Sequence, residues 1–209
     1  MNGYFVTGTD TNVGKTVLSA LLVAALDAIY WKPVQTGAVE GTDRESVRAW
    51  AELPAERLPP ERYRFGAPAS PHLASREAGV RIDLGAFEFP EAPTDRKWIV
   101  EGAGGVMVPL NERALIRDLI RRIGFPVIVA ARTTLGTINH TLLTLSALRD
   151  ANLPICGVVL IGDENIENRC AIEHYGGVRV VGRIPILKQI TRAALLNMYE
   201  THFDHAKFA

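Results

Sequence analysis

Short apolar runs alternate with segments whose apolar residues recur at helical spacing along most of this chain. Strands are predicted at residues 4–6, 29–34, 98–100, 126–131, 155–161 and 178–181. Helices are predicted after the loop that follows the first strand and over residues 42–53, 115–123, 138–148 and 193–203. Apolar strands that alternate with helices predict a parallel sheet covered by helices on both faces. The expected fold class is therefore α/β, as a single domain over residues 1–209.

Residues 54–95 break this alternation, because prolines, arginines and acidic residues interrupt any long element there. A loop with short helices over one edge of the core is expected. Within this segment Ser70-Pro71-His72 is open to two interpretations, an ordinary turn or part of a lid over a ligand.

The loop GTDTNVGKT, from Gly8 to Thr16, joins the first predicted strand to the first predicted helix. Backbone N–H groups in such a loop, together with the helix dipole, attract a polyphosphate. Lys15 would reach the terminal phosphates, and the Thr16 hydroxyl would hold Mg²⁺. Thr9 stands where the usual pattern has its first glycine, so the prediction of a phosphate-loop (P-loop) NTPase-like fold depends on Gly14, Lys15, Thr16 and the strand–loop–helix context.

Acidic residues follow at two points where a metal could bind. Glu101 ends the third predicted strand and precedes small residues that would let a ligand approach the backbone, so a Mg²⁺ ligand is favoured. Thr42 and Glu45 match a capping box, which places Asp43 in the first turn of a helix. Asp43 is equally consistent with a partner for the helix dipole and with a metal ligand. Lys32, before Pro33 at a strand end, indicates no function by itself.

A further candidate site lies after the fourth predicted strand, at the helix that begins near Thr137. Asn139 and His140 fall in its first turn, where free N–H groups could hold a carboxylate or phosphate, although both are equally consistent with surface positions. In a parallel sheet the loops at the carboxyl ends of the strands gather in one cleft. That cleft would contain Lys15, Thr16, Lys32, Thr36, Asp43, Glu101 and the segment at Thr137.

Composition narrows the possible partners and compartments. The 23 basic and 23 acidic residues give a net charge of zero, which argues against nucleic-acid binding by bulk charge and leaves open a local basic patch. Cys156 and Cys170 are read as buried thiols in a reducing compartment. No apolar run approaches the roughly 20 residues of a membrane helix, and no signal peptide precedes the first strand, so a cytoplasmic protein with no membrane partner is expected.

Four motifs in order, YFVTGTDTNVGKT, YWKPVQTG, VEGAGGVMVPL and TTLGTINHTLLTLSAL, closely resemble the dethiobiotin synthetase family. The likeness runs from Tyr4 to about Gly157, with a looser correspondence at residues 182–185. It implies an ATP- and Mg²⁺-dependent ligase of biotin biosynthesis that uses 7,8-diaminononanoate and CO₂. One amino group would capture CO₂ as a carbamate, ATP would phosphorylate the carbamate, and the other amino group would close the ring.

The resemblance also implies roles for individual residues. Lys15, Lys32 and Thr11 would be catalytic, and Thr16, Asp43 and Glu101 would be the Mg²⁺ ligands. The nucleotide would contact Asp10, Thr11, Asn12, Val13, Gly14, Lys15, Thr16, Val17, Gly162 and Pro185. The diamine would contact Thr36 and Lys32, while its carboxylate would bind Gly136, Thr137, Ile138 and Asn139 of the other subunit of a homodimer.

One departure from the family bears on nucleotide choice. Many members have asparagine where this chain has Gly162, before Asp163, so base recognition is expected to depend on backbone groups near residues 182–185. A partitioning or positioning ATPase is the alternative function, but such proteins usually carry a second lysine where this chain has Asp10. An amidotransferase-type synthetase would need a glutaminase domain, for which the chain is too short.

Overall fold

Six parallel strands form the central sheet in a computed structural model that describes residues 1–39, 41–93 and 95–208. Their order across the sheet is β2-β5-β1-β6-β7-β8, and every pair of neighbours runs parallel. The six strands are β1 (Gly3–Gly8), β2 (Ile29–Trp31), β5 (Trp98–Gly105), β6 (Val127–Arg132), β7 (Ile155–Ile161) and β8 (Val180–Ile184). Two short strands, β3 (Val34–Gln35) and β4 (Tyr63–Arg64), pair with each other in a separate sheet.

Helices pack on both faces of the central sheet, as the alternating pattern predicted. They are α1 (Lys15–Ala25), α2 (Asp43–Ala51), α3 (Pro71–Glu77), α4 (Ile116–Ile123), α5 (Thr137–Asp150), α6 (Ile166–Gly176) and α7 (Arg192–His202). One buried cluster contains apolar residues of α1, α2 and α7. The other contains apolar residues of α3, α4, α5 and α6. No described helix has the length and apolar character needed to cross a membrane.

Side chains point alternately to the two faces of the sheet along each strand, and this decides which buried cluster each one joins. Tyr30 and Ile99 face α1, whereas Trp31 and Val100 face the opposite side. Because successive side chains of a strand point to opposite faces, Glu101 lies on the same face as Ile99. Its position on this face places Glu101 beside the start of α1, where the phosphate loop ends.

Several predicted boundaries were wrong. The predicted strand at 29–34 is two strands in different sheets, because Pro33 has no N–H to donate to a ladder. The strand predicted at 98–100 continues to Gly105, so Glu101 lies within it, paired in register with Val6. The helix predicted to reach residue 53 ends at Ala51, because Glu52 adopts a left-handed conformation with φ of 53°. The last strand begins at Val180, two residues later than predicted.

Helix α6 was not predicted from the sequence. Its buried residues are Ile172 and Gly176, so it lacks the apolar stripe from which an amphipathic helix is recognised. The side chain of Asn165 caps it by accepting a hydrogen bond from the N–H of Asn168 at 2.9 Å. The described part of segment 54–95 contains short helices joined by loops, as expected, but also the unpredicted two-residue strand β4. Pro71 begins α3 rather than closing a simple turn.

Candidate active site

The loop from Gly8 to Thr16 connects β1 directly to α1. Gly14 caps α1 with φ of 94°, a conformation that favours glycine. A Cβ at this position would lie 2.9 Å from Cγ2 of Ile161, so the loop also packs closely on the end of β7. The side chain of Val13, which belongs to the loop, is buried. The local geometry therefore explains why this position requires glycine and how the loop is held over the carboxyl edge of the sheet.

Lys15 points back along this loop. Its Nζ donates a hydrogen bond to the backbone oxygen of Asp10 at 2.9 Å, and the side chain is buried. Burial, followed by the nearby charge of Lys32, lowers the pKa of Lys15 to about 8. A phosphate group beside this ammonium would offset both effects, so the position suits an anionic ligand.

The three predicted metal ligands converge, although they come from α1, α2 and β5. Oγ1 of Thr16 lies 3.0 Å from Oδ1 of Asp43 and 3.1 Å from Oε1 of Glu101. A threonine hydroxyl has one proton, so it can donate to one of these carboxylates at a time. A cation between the three oxygens would remove that conflict.

The distances from Oγ1 of Thr16 to the two carboxylate oxygens fit a Mg²⁺ site. Adjacent ligands of an octahedral site with bonds of about 2.1 Å are about 3.0 Å apart. Across residues 1–39, 41–93 and 95–208, no three His, Cys, Asp or Glu side chains form a metal-binding group. A metal here would therefore have two carboxylates and a hydroxyl as protein ligands, with phosphate oxygens and water completing the shell.

Lys32 supplies the positive charge between the two carboxylates. Its Nζ lies 2.6 Å from Oδ2 of Asp43 and 2.9 Å from Oε1 of Glu101, and it also donates to the backbone oxygen of Gly102 at 3.0 Å. Burial by itself would lower the pKa of Lys32, but the charges of Glu101 and then Asp43 outweigh burial and raise it. Burial acts to raise the pKa of Asp43, and Lys32 reverses that effect so that the pKa is lowered.

Two residues that the sequence analysis did not select support this cluster. Tyr30, which is fully buried, donates its hydroxyl to Oε2 of Glu101 at 3.0 Å. Burial, followed by the charges of Glu101 and Asp43, raises the pKa of Tyr30 well above its ordinary value, so the phenol remains a donor. Gln35 accepts a hydrogen bond from the backbone N–H of Asp43 at 3.1 Å. Tyr30 and Lys32 are two residues apart in the strand predicted at 29–34, and this spacing puts both side chains on the same face of the strand. The sequence could therefore have indicated Tyr30 as a neighbour of Lys32.

Asp43 is positioned by the capping box predicted at the start of α2. The N–H of Thr42 donates to Oε2 of Glu45 at 2.8 Å, and the N–H of Glu45 donates to Oγ1 of Thr42 at 3.1 Å. Asp43 is the first residue of the helix that these bonds begin. The same residue therefore occupies a favourable position for the helix dipole and lies within the carboxylate cluster.

Two adjoining cavities open at this edge of the sheet. One, of about 380 Å³, contains most of the predicted site, and its lining includes Thr11, Asn12, Gly14, Lys15, Thr16, Val17, Lys32, Thr36, Asp43 and Glu101. The other, of about 530 Å³, lies between the loop and α5, and its lining includes Asp10, Thr11, Met107, His140 and Leu143. Thr11 lines both, so a ligand could extend from one cavity into the other.

The predicted carboxylate-binding residues at the start of α5 lie apart from the 380 Å³ cavity. Gly136 and Thr137 line a small cavity of about 50 Å³ that also touches Asp10 and His140. Gly136 caps the helix with φ of 93°, Ile138 is half-buried, and Asn139 is exposed. Within this chain, the structure does not bring these residues to Lys32 and Thr36.

Gly162 and Pro185 lie at the ends of neighbouring strands β7 and β8. The N–H of Gly162 donates to the backbone oxygen of Ile184 at 2.9 Å. Gly162 has φ of 132°, and a Cβ there would lie 2.3 Å from Oγ1 of Thr133. Substitution of Gly162 by a residue with a side chain would therefore require this turn to rearrange.

Arg132, at the end of β6, is a third residue that the sequence analysis did not select. Its guanidinium donates to the backbone oxygen of Thr11 at 3.0 Å and lies 3.7 Å from Oδ2 of Asp10. Because Arg132 is exposed, this contact with Asp10 contributes little to stability. Its place beside the phosphate loop still adds a positive charge near the mouth of the cavities.

This chain is similar to several known proteins. A family model described as an AAA domain matches residues 2–194. A protein of Paramagnetospirillum magneticum named ATP-dependent dethiobiotin synthetase BioD is 52% identical over 198 residues, with 95% of each chain covered. A protein of Rhodopseudomonas palustris strain HaA2 with the same name is 49% identical over 203 residues, covering 97% of this chain and 94% of the relative. Among solved structures, a ParA family ATPase from Chlorobium tepidum superposes with a TM-score of 0.55 at 13% identity, covering 95% and 91% of the two chains, which shows a shared fold alone.

Proposed function

Because this chain belongs to the family of ATP-dependent dethiobiotin synthetases, we propose that it converts 7,8-diaminononanoate and CO₂ to dethiobiotin in biotin biosynthesis. The protein is an ATP-dependent ligase. The observation that supports this reaction best is the convergence of Lys32, Asp43, Glu101 and Thr16 beside the phosphate loop. A phosphoryl group and a second, carboxylated substrate could meet there.

The reaction would proceed in three steps. The 7-amino group of the diamine adds to CO₂ and loses a proton, giving a carbamate. A carbamate oxygen then attacks the γ-phosphorus of ATP, and ADP leaves. Finally the 8-amino nitrogen attacks the carbamate carbon and loses a proton, and phosphate leaves as the ring closes. Phosphorylation is needed because an unactivated carbamate oxygen is a poor leaving group.

The chain's own residues would position and neutralise the reacting groups, which is most of the catalytic task in phosphoryl transfer. Lys15 would bind the transferring phosphoryl group, Lys32 would bridge it to the carbamate, and Thr11 would lie next to the carbamate. Lys32 also contacts Asp43 and Glu101. To bind the substrate, its ammonium would exchange part of these contacts.

Thr16, Asp43 and Glu101 would hold Mg²⁺, with one oxygen from each side chain. When bound, the ion would neutralise charge on the phosphates of ATP. The nucleotide phosphates would lie along Asp10, Asn12, Val13, Gly14 and Val17, and backbone groups near Gly162 and Pro185 would contact the base. Thr36, in the same cavity as Lys32, would contact the diamine.

A homodimer is part of this proposal, because the start of α5 lies away from Lys32 within one protomer. Gly136, Thr137, Ile138 and Asn139 of a second copy would hold the substrate carboxylate. Support comes from exposed apolar side chains around the cavity between the loop and α5. Leu143 is 61% exposed and Met107 is 52% exposed, and a second copy would cover them.

Residues 1–209 would form one P-loop NTPase-like domain, since both buried clusters pack on the same central sheet. The formal net charge of zero supports the absence of a nucleic-acid partner. A cytoplasmic location without a membrane partner completes the proposal.

Direct assay tests the reaction. The purified protein, incubated with 7,8-diaminononanoate, bicarbonate, Mg²⁺ and ATP, should form dethiobiotin and phosphate in equal amounts. Lys15→Gln should reduce product formation by at least 100-fold, whereas Lys188→Gln, at an exposed lysine, should leave it unchanged. Phosphate release that does not depend on the diamine would contradict the proposal and favour a nucleotide switch.

Mixing two inactive variants tests the shared site. Lys15→Gln and Asn139→Asp would each impair both sites of their own homodimers. In a mixed dimer, one site would combine an intact loop with an intact helix start, so activity should recover toward a quarter of the wild-type value in an equal mixture. No recovery after verified subunit exchange, or full activity of a monomer in sedimentation, would contradict the shared site.

A further inference from the structure

The two oxygens of Glu101 lie in different surroundings. Oε1 faces Thr16 and Lys32, at 3.1 Å and 2.9 Å. Oε2 accepts a hydrogen bond from the Tyr30 hydroxyl at 3.0 Å. Glu101 is 1% exposed and Tyr30 is fully buried, so no nearby solvent competes for this bond. The carboxylate is therefore held in one orientation, with a single oxygen presented to the cavity.

This orientation follows from the register of two strands. Tyr30 of β2 pairs with Ile99 of β5, and Glu101 lies two residues beyond Ile99 on the same face. The phenol consequently reaches Oε2, whereas Thr16 and Lys32 contact the other carboxylate oxygen, Oε1. A phenylalanine at position 30 would keep the ring and remove the donor.

We infer that Tyr30 is a positioning residue that makes Glu101 a one-oxygen metal ligand and thereby favours Mg²⁺ over Ca²⁺. Its role rests on the proposed metal site formed with Thr16 and Asp43. Mg²⁺ requires near-ideal octahedral geometry, which one oxygen from each of these three ligands allows. Ca²⁺ accepts six to eight ligands and binds carboxylates through one or both oxygens. A Glu101 free to rotate would offer both oxygens, which improves the site for the larger ion and leaves it less well ordered for Mg²⁺.

Metal titration of the protein with a saturating non-hydrolysable ATP analogue tests this role without turnover. The melting temperature is followed against Mg²⁺ or Ca²⁺ concentration, and the midpoint of each curve is compared among variants. Tyr30→Phe should raise the Mg²⁺ midpoint about 10-fold, as expected when an outer hydrogen bond to a metal ligand is lost. The Ca²⁺ midpoint should stay unchanged or fall, so the preference for Mg²⁺ should drop at least 10-fold.

Tyr4→Phe is the matched control. Tyr4 is also buried, and its hydroxyl donates to the backbone oxygen of Lys207 at 3.1 Å. Tyr4 lies near the amino end of β1, whereas the proposed metal site lies at the carboxyl ends of the strands. Its removal should leave both midpoints at the wild-type values, even if the metal-free melting temperature falls.

The outcomes separate the role of Tyr30 from that of the site itself. If both midpoints of Tyr30→Phe equal those of the wild type, or if both rise by the same factor, Tyr30 does not select the ion. Glu101→Gln should raise both midpoints. If it raises neither, the metal site proposed above is wrong, whereas an effect of Glu101→Gln without one of Tyr30→Phe overturns the role of Tyr30 alone.

Discussion

At the scale of single residues, Lys32 shows how far neighbours decide a side chain's role. A lysine before a proline is usually solvated, yet Lys32 is 4% exposed and contacts two carboxylates. Glu101 is buried, whereas Asp43 is about one-third exposed, and the ammonium of Lys32 lies within ion-pair distance of both. We therefore expect Lys32 to stabilise the folded chain in addition to its role in the proposed reaction.

Lys32→Met should destabilise the ligand-free protein by about 3–5 kcal/mol, because breaking a buried ion pair leaves uncompensated charge. Urea denaturation followed by circular dichroism measures the free energy of unfolding. Lys188→Met removes an exposed lysine with the same change of side chain and should alter stability by less than about 0.5 kcal/mol. Equal effects of the two substitutions would show that the buried contacts of Lys32 are unimportant for stability.

At the scale of elements, the start of α2 joins helix stability to the site. Thr42 and Glu45 exchange two hydrogen bonds, and the helix that they begin presents Asp43 to Thr16 and Lys32. The capping box was readable from the sequence because its residues lie within one turn. The partners of Asp43 were not, because they belong to other elements.

Thr42→Ala should lower the free energy of unfolding by about 1 kcal/mol through loss of the cap. It should also raise the Mg²⁺ concentration needed to stabilise the protein with a non-hydrolysable ATP analogue, since Asp43 loses its fixed position. Thr191→Ala removes the matching cap of α7, where Thr191 accepts from the N–H of Ala194 at 3.2 Å. That control should lose similar stability with an unchanged Mg²⁺ midpoint, and equal midpoint shifts would contradict a link between the cap and the metal site.

The stability that the capping box contributes should also depend on pH in a defined direction. Hydrogen bonds from the backbone and then the hydroxyl of Thr42 lower the pKa of Glu45. A carboxyl whose folded pKa is below its unfolded value contributes stability above the unfolded pKa and loses it as pH falls through the folded value. The difference in unfolding free energy between the wild type and Glu45→Gln should therefore be larger at pH 7 than in acid below the folded pKa. A difference that is constant over this range would argue against a charged Glu45 in the cap.

At the scale of the whole molecule, Phe208 packs near the amino ends of β1 and β5. Phe208 is 1% exposed and packs against the rings of Tyr4, Tyr199 and Phe203. Nζ of Lys97 donates to the backbone oxygen of Phe208 at 2.6 Å. These contacts join α7 to the first strand, so Phe208 is part of the core.

Phe208→Ala should cost about 3–5 kcal/mol of unfolding free energy, because a buried aromatic ring is replaced by a cavity. Tyr175→Ala, at a side chain that is 73% exposed on α6, provides the control and should change stability little. Chemical denaturation measures both. A loss below about 1 kcal/mol for Phe208→Ala would show that this segment does not share the core.

The sequence by itself determined the fold class, most of the strands and helices, the phosphate loop and the capping box. All of these depend on the order and period of residues close together in the chain. The break between β2 and β3 at Pro33, the continuation of β5 past Glu101 to Gly105 and the whole of α6 were decided by pairing and packing that local patterns do not record.

Only the tertiary structure decided how the site residues meet. Lys32 and Glu101 are 69 residues apart in the chain, and their contact depends on strand register and on the face each side chain occupies. The same register brings Tyr30 to the second oxygen of Glu101, a contact that no sequence motif indicated. Periodicity can assign a residue to a face, but which atoms touch is decided when separate strands and helices pack to within about 3 Å, the range of a hydrogen bond.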